Sequence, residues 1–196
     1  MNNNQIIIFK NDAVGDLTHS LPAINNIISN HKNHQIIIYL SERSKNFDFL
    51  IKGKNVLFKT INYNLNFFDK FKLIRIFFQN NIDKIFILSP KNFYFFLPFF
   101  FRSTKFYAVC INNLGDYKRP VKFLRKFLTK YVINHRDATY KRSSISSLQL
   151  ELVNNSSYNH IFNKGDYQNI QNATNWNGTN VTGMNFPNNS PGMYLF

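Results

Sequence analysis

The chain has 196 residues, enough for one α/β domain of ordinary size with a short appendage and too few for two full-sized domains. Its composition, 44% apolar with 22 Phe, excludes global disorder, and a single cysteine, Cys110, excludes an internal disulfide and a four-thiolate zinc site. The net charge of +14 favours anionic partners such as nucleic acid, anionic lipid or a phosphorylated substrate, and all but one of the Lys and Arg residues precede residue 150.

In chain order, Gln5 to Phe9 and Gln35 to Leu40 are continuous β-branched runs of the kind that form strands buried on both faces. Between them Leu21, Ile24, Ile27 and Ile28 recur at helical spacing, with Pro22 near the start of the helix, so residues 5–40 read as a βαβ unit. The alternation continues with a short helix over Ser41 to Ile51 and a strand over Val56 to Lys59. A helix over Phe67 to Asn80 then carries Phe68, Phe71, Leu73, Ile76 and Phe77. Next come a strand over Lys84 to Leu88, a proline-bounded helix over Phe93 to Phe101, a strand over Phe106 to Ile111 and a basic amphipathic helix over Val121 to Val132. Strands alternating with helices predict an α/β fold: a mainly parallel sheet with helices on both faces.

Composition changes near residue 150. Residues 151–196 are Asn-rich and nearly neutral, lack apolar periodicity, and read as a tail or linker; triplets such as Asn172-Ala173-Thr174 arise there by chance. The N-terminus lacks the basic flank, apolar run and small-residue site of a signal peptide. The most apolar stretch, Ile85 to Phe101, is interrupted by Pro90, Lys91, Asn92 and Pro98 and is too short to span a bilayer. A reducing cytoplasm is the expected location.

Ligands of open α/β sheets bind beyond the carboxyl ends of the strands, which directs attention to Lys10 through Asp16. That loop has one glycine, not a dinucleotide fingerprint, and the chain has no P-loop. Gly15 would permit an unusual backbone angle or close ligand approach, and the Asp16 carboxylate beside it would either cap the helix or act as a general base. Lys10 would meet a ligand phosphate or carboxylate or remain a solvated lysine, and His19, three residues beyond Asp16, would face ligand or solvent. His31 and His34 have no acidic or cysteine partner nearby in sequence, so no metal site is predicted. From Lys118 to Arg142 nine bases face the single acid Asp137; the segment would be a solvated basic face with a modest affinity for anionic membrane and its apolar residues toward the core, and the aromatic run Phe93 to Phe101 would be mostly core with part of it an apolar lip.

The stretch Ile6-Ile7-Ile8-Phe9-Lys10, followed by Gly15-Asp16-Leu17-Thr18-His19-Ser20-Leu21-Pro22-Ala23, resembles the N-terminal signature of the glycosyltransferase family 9 heptosyltransferases. Asn81 to Ile87 and Ala138 to Arg142, with Leu148-Gln149-Leu150, echo later segments, so the resemblance covers about residues 5–150. It implies one Rossmann-like half of a GT-B fold: residues 1–150 as the acceptor-binding domain, and 151–196 as a remnant of a donor-binding domain that is otherwise missing. It implies inverting, metal-independent transfer of a sugar from a nucleotide-sugar such as ADP-heptose, with no cofactor, to a lipopolysaccharide-core or related glycan at the inner membrane. Asp16 matches the family's catalytic base, with Lys10, Gly15 and His19 as substrate-binding candidates. The alternative is a non-catalytic basic module that holds anionic glycolipid or a partner subunit. Nucleic-acid binding ranks last, since only the charge supports it.

Overall fold

The β-branched runs become the centre of a sheet because successive side chains on each are apolar and point to opposite faces, so both faces must be covered. A computed structural model of the chain describes residues 4–112, 118–135 and 144–154, all within Met1–Asn155, the first of the two units into which the chain divides. The elements in order are β1 (Gln5–Lys10), α1 (Val14–Asn30), β2 (Gln35–Ser41), β3 (Val56–Ile61), α2 (Phe67–Gln79), β4 (Ile82–Ile87), α3 (Leu97–Phe100), β5 (Lys105–Asn112), β6 (Lys118–Arg119), β7 (Lys130–His135) and α4 (Ile145–Val153). Among the described residues, six strands are parallel in the order β3-β2-β1-β4-β5-β7, and the two-residue β6 pairs antiparallel with the end of β5. Register is set in the middle of the sheet, where Ile7 lies between Ile37 and Ile85.

Each face has its own core. Ile6, Ile8, Ile36 and Ile38 pack under α1 and α4, through Leu17, Ile24, Ile27, Leu148 and Leu152. Ile7, Phe9, Ile37 and Ile85 pack under α2, α3 and the 3₁₀ turns, through Leu73, Phe77, Tyr94, Leu97 and Leu124. Odd and even residues of β1 thus point to opposite layers, as the pleat requires. Phe9 is stacked between Tyr94, 4.0 Å away, and Tyr39, 5.3 Å away, an arrangement worth about 0.5–1.5 kcal/mol per pair beyond area burial. The fold is the expected one: a Rossmann-like α/β sheet covered on both faces, the architecture of one half of a GT-B enzyme.

Several local expectations are corrected. The basic helix over Val121 to Val132 does not form; a single 3₁₀ turn, Leu124–Phe127, leads into β7. Thr129 explains the switch, since its backbone N–H donates to the Phe106 carbonyl at 2.8 Å and its hydroxyl accepts from the Phe106 N–H at 3.0 Å. These bonds dock Tyr131-Val132-Ile133 along Ala108-Val109-Cys110, and edge pairing of a β-branched run overrides helical spacing. The helix expected over Ser41 to Ile51 is a 3₁₀ turn, Lys45–Leu50, and that over Phe93 to Phe101 is a 3₁₀ turn, Asn92–Phe96, followed by the one-turn α3. Pro22 does not open α1 but sits inside it, on an exposed side where a missing N–H is tolerated best. In α2 only Leu73 and Phe77 of the expected apolar stripe are fully buried, and Phe68 and Phe71 point to solvent. Finally, α4 crosses the compositional boundary at 150 and packs on α1, where the Asn154 side chain accepts from Asn26 at 2.9 Å. The segment Ala138 to Arg142 and the Asn-rich tail from residue 155 lie outside the described residues.

Candidate functional site: the crevice at the carboxyl edge of the sheet

From β1 the chain proceeds to β2 and β3 on one side, and from β4 to β5 and β7 on the other, so the topological switch lies between β1 and β4. Loops that leave two adjacent central strands in opposite directions open a crevice between them. Here the backbone N–H groups of Leu88 and Ser89 both donate to the Phe9 carbonyl at 3.1 Å, which fixes one loop against the other.

On the β1 side, α1 begins at Val14 with Ala13 as its N-cap, and no side chain caps it. Asp16 therefore does not cap the helix. Its carboxylate is exposed in the first turn and, among the described residues, joins no hydrogen bond or ion pair; only its carbonyl is engaged, by the Ser20 hydroxyl at 2.9 Å. An acidic group there is favoured by the positive end of the helix dipole, and the first-turn N–H groups have no intrahelical partner. Gly15 also differs from expectation. It is an ordinary helical residue with no left-handed backbone angle, and a Cβ built on it would meet nothing within 4 Å, so what it supplies is open space. His19 is half-buried one turn beyond Asp16, and its carbonyl accepts from the Ser146 hydroxyl of α4.

Lys10 is neither solvated nor free to receive an anion. Its ammonium is buried against the Asp12 carboxylate at 2.9 Å. The adjoining Asn11 is fully buried: it donates to the Asn62 carbonyl at 3.1 Å and accepts from the Tyr94 hydroxyl at 3.0 Å. Burial raises the Tyr94 phenol well above its ordinary range, so it remains a neutral donor to Asn11. Ser41 accounts for the next loop, donating to the Asp12 carbonyl at 2.6 Å.

A second group of residues at this edge of the sheet was not anticipated from sequence. The Lys91 ammonium donates to the Tyr63 carbonyl and lies 4.1 Å from the centre of the Tyr63 ring, and the Arg43 guanidinium lies 4.3 Å from the same ring. Tyr63 is held in turn by its N–H, which donates to Glu42 at 2.7 Å. Burial lowers the pKa of Lys91, Asp12 and Glu42 pull it back up, and Arg119 and Arg43 lower it further. Arg119 lies on β6, which pairs with the end of β5 beyond the end of β4. Ser89 is fully buried with its hydroxyl unpartnered among the described residues. Loops after β1, β2, β3 and β4 thus bring a carboxylate without a partner among the described residues, and a group of cations, to one edge of the sheet. Such an edge can take a proton from a hydroxyl and hold a phosphate or carboxylate nearby. The signal was available in sequence: Ser41-Glu42-Arg43 and Ser89-Pro90-Lys91 follow strands as Lys10 to Asp16 follows β1.

Other features lie elsewhere. A groove of about 260 Å³ at the amino ends of β2 and β3 is lined by Lys32 to Gln35 and Lys54 to Leu57. One of about 600 Å³ is lined by Asn112, Lys122, Arg125, Lys126, Leu128 and Tyr131. His34 does have an acidic neighbour, contrary to expectation: Asp83, at 3.7 Å, brought there by the strand start of β4. His31 takes up Lys84 at 2.9 Å, and among the described residues no three metal-ligating side chains converge. No described helix is long and apolar enough to cross a membrane.

Comparison with known proteins is consistent with this architecture. No family model matches the sequence, and no curated protein matches it. Among solved structures, a glycosyl transferase family 9 protein from Veillonella parvula DSM 2008 superposes with a TM-score of 0.50 and 13% identity, over 89% of this chain and 51% of that one. The chain therefore spans about half the length of that protein, and at such identity the likeness is one of fold.

Proposed function

We propose that this chain forms the acceptor-binding half of a glycosyltransferase of the heptosyltransferase type. One observation carries the reading: an exposed carboxylate, Asp16, without a partner among the described residues, at the exit of the first strand of a sheet whose fold matches that of a family 9 glycosyltransferase. The acceptor would be a glycan bearing phosphate or carboxylate groups, such as a lipopolysaccharide core, at the cytoplasmic face of the inner membrane. The donor would be a nucleotide-sugar such as ADP-heptose, presented by a donor-binding domain that is a second half or a separate chain.

In this reaction Asp16 takes the proton of the acceptor hydroxyl as its oxygen bonds to the anomeric carbon. The bond from that carbon to the diphosphate breaks on the opposite face, and the configuration inverts. The open space at Gly15 lets the sugar approach the helix start, and Lys91 and Arg43 hold acceptor anions. Lys10, in contrast, shapes the loop from beneath. Calorimetric titration with a phosphorylated core oligosaccharide tests the reading: Lys91→Ala and Arg43→Ala should each weaken binding by roughly tenfold, as for loss of one charge-assisted contact. Unchanged affinity in both variants rejects it. The groove beside Lys122, Arg125 and Lys126 favours a second reading, a binding module without transfer, which predicts that the same oligosaccharide binds there instead.

A further inference from the structure

Helix α2 is turned the unusual way round. Leu73 and Phe77 bury its inner side, while Phe68, Arg75, Phe71 and Phe78 recur at positions i, i+7, i+3 and i+10 and form one outward stripe. Phe68 is 80% exposed, Phe71 62% and Phe78 73%, and rings exposed side by side form a contiguous apolar patch of the kind that marks an interaction site. The stripe continues. Phe78 contacts Phe101 at 4.9 Å, Phe99 contacts Phe127 at 5.6 Å, and Phe127 contacts Phe123 at 5.5 Å. Exposed Phe99, Phe100 and Phe123 thereby extend the aromatic surface across α3 to the 3₁₀ turn before β7.

The charge on this surface is predominantly positive. Lys72, Arg75, Arg102, Lys122 and Lys126 are exposed among the rings. The one acid of α2, Asp69, is occupied by Asn62 at 2.8 Å and by the Asn66 N–H at 3.1 Å. Phenyl rings interleaved with long cations fit an interface that supplies hydrocarbon and negative charge together, with the rings entering the acyl boundary and the cations reaching the headgroups. A protein partner would have to provide a hydrophobic and an acidic face at once.

We infer that the outward face of α2, continued through Phe99 to Phe101 and Phe123 to Phe127, docks this chain on an anionic bilayer. The segment chosen from sequence for membrane affinity, Lys118 to Arg142, contributes only Lys122 to Phe127; the principal element is α2, to which the sequence assigned no membrane role. Docking also bears on the crevice. The Asn62 side chain, whose backbone carbonyl holds Asn11, bonds to Asp69 in the first turn of α2, so the docked face begins at the rim of the site. That an acceptor anchored in the membrane reaches the crevice from this side rests on the proposed function; the docking does not.

The test is co-sedimentation of the full 196-residue chain with vesicles of phosphatidylglycerol and phosphatidylethanolamine, against neutral phosphatidylcholine vesicles. The chain should bind the anionic vesicles and lose binding in high salt. The triple variant Phe68→Ser, Phe71→Ser, Phe78→Ser and the double variant Lys72→Glu, Arg75→Glu should each partition roughly tenfold less. If the triple variant fails to fold, the charge variant decides. No binding by the parent chain, or undiminished binding by the folded variants, overturns the inference. So does self-association of the parent chain that the Phe substitutions abolish, which would assign the face to a second copy. The vesicles carry no sugar, so this outcome is independent of the oligosaccharide titration of the crevice.

Discussion

The ammonium of Lys10 and the carboxylate of Asp12 form an ion pair at 2.9 Å in which the lysine side chain is only 2% exposed. A lysine at the end of the first strand invites assignment as an anion receptor, but this one is already satisfied by a residue two positions on. It holds the loop that ends at Ala13, where α1 begins. Lys10→Ala should therefore act on stability first: it leaves Asp12 partly buried without its partner, at a cost of about 2–3 kcal/mol in urea unfolding. A loss below about 0.5 kcal/mol, the range of ordinary surface substitutions, contradicts that role.

Gly15 offers a separation of effects. Because its backbone is helical and its surroundings are empty, Gly15→Ala should raise stability by about 0.5–1 kcal/mol, the usual gain on removing a helix glycine. The methyl group would occupy the space through which the acceptor approaches, so oligosaccharide affinity should fall in the same variant. Thermal melting and calorimetry together check the two signs.

Lys91 governs the pH dependence. Its pKa lies below the ordinary 10.5, first because of burial and then because of Arg119 and Arg43. Between the folded and unfolded values the unfolded chain binds more protons, so this group's contribution to stability increases as pH rises through that window. Anion affinity moves the other way, since the site loses a positive charge at a pH below that of a free lysine. Titrations from pH 7 to pH 10 should show affinity falling over that range in the parent chain, with the fall reduced in Lys91→Ala.

Cys110 should be silent in the native protein. It is fully buried in β5, and burial pushes its thiol up from 9.0 to about 12. A thiolate reagent at pH 8 should leave it unmodified in the folded chain and react within minutes in denaturant. Here the linkage has the opposite sign to that of Lys91: the unfolded thiol deprotonates first, so stability is lost as pH rises above 9.0 toward about 12.

The sheet was legible because its inner strands, such as Gln5–Lys10 and Gln35–Ser41, carry one signal, an unbroken β-branched run, and nothing competes with it. Where the pattern is apolar on more than one side, as in Phe67–Gln79, periodicity does not say which side is buried: of the residues singled out there, Leu73 and Phe77 are buried, while Phe68 and Phe71 are exposed together with Phe78. In Val121 to Val132 the helical spacing was genuine, but a long-range contact, Thr129 with Phe106, converted its second half to strand. The site followed the same rule. Asp16 was found because one loop was inspected. Arg43, Tyr63 and Lys91 come from three other loops, 20 or more residues apart in sequence in each step, and only the sheet order brings them together.

The most direct test is the transfer reaction with Asp16→Asn, measured with the chain joined to or complemented by a donor-binding domain, a nucleotide-sugar and the glycan acceptor. The amide preserves size and removes the proton-accepting group. Turnover should fall by a factor of at least about 100, the lower end of general-base contributions, with acceptor affinity and melting temperature unchanged. Turnover equal to that of the parent chain would contradict the assignment of Asp16 as the base.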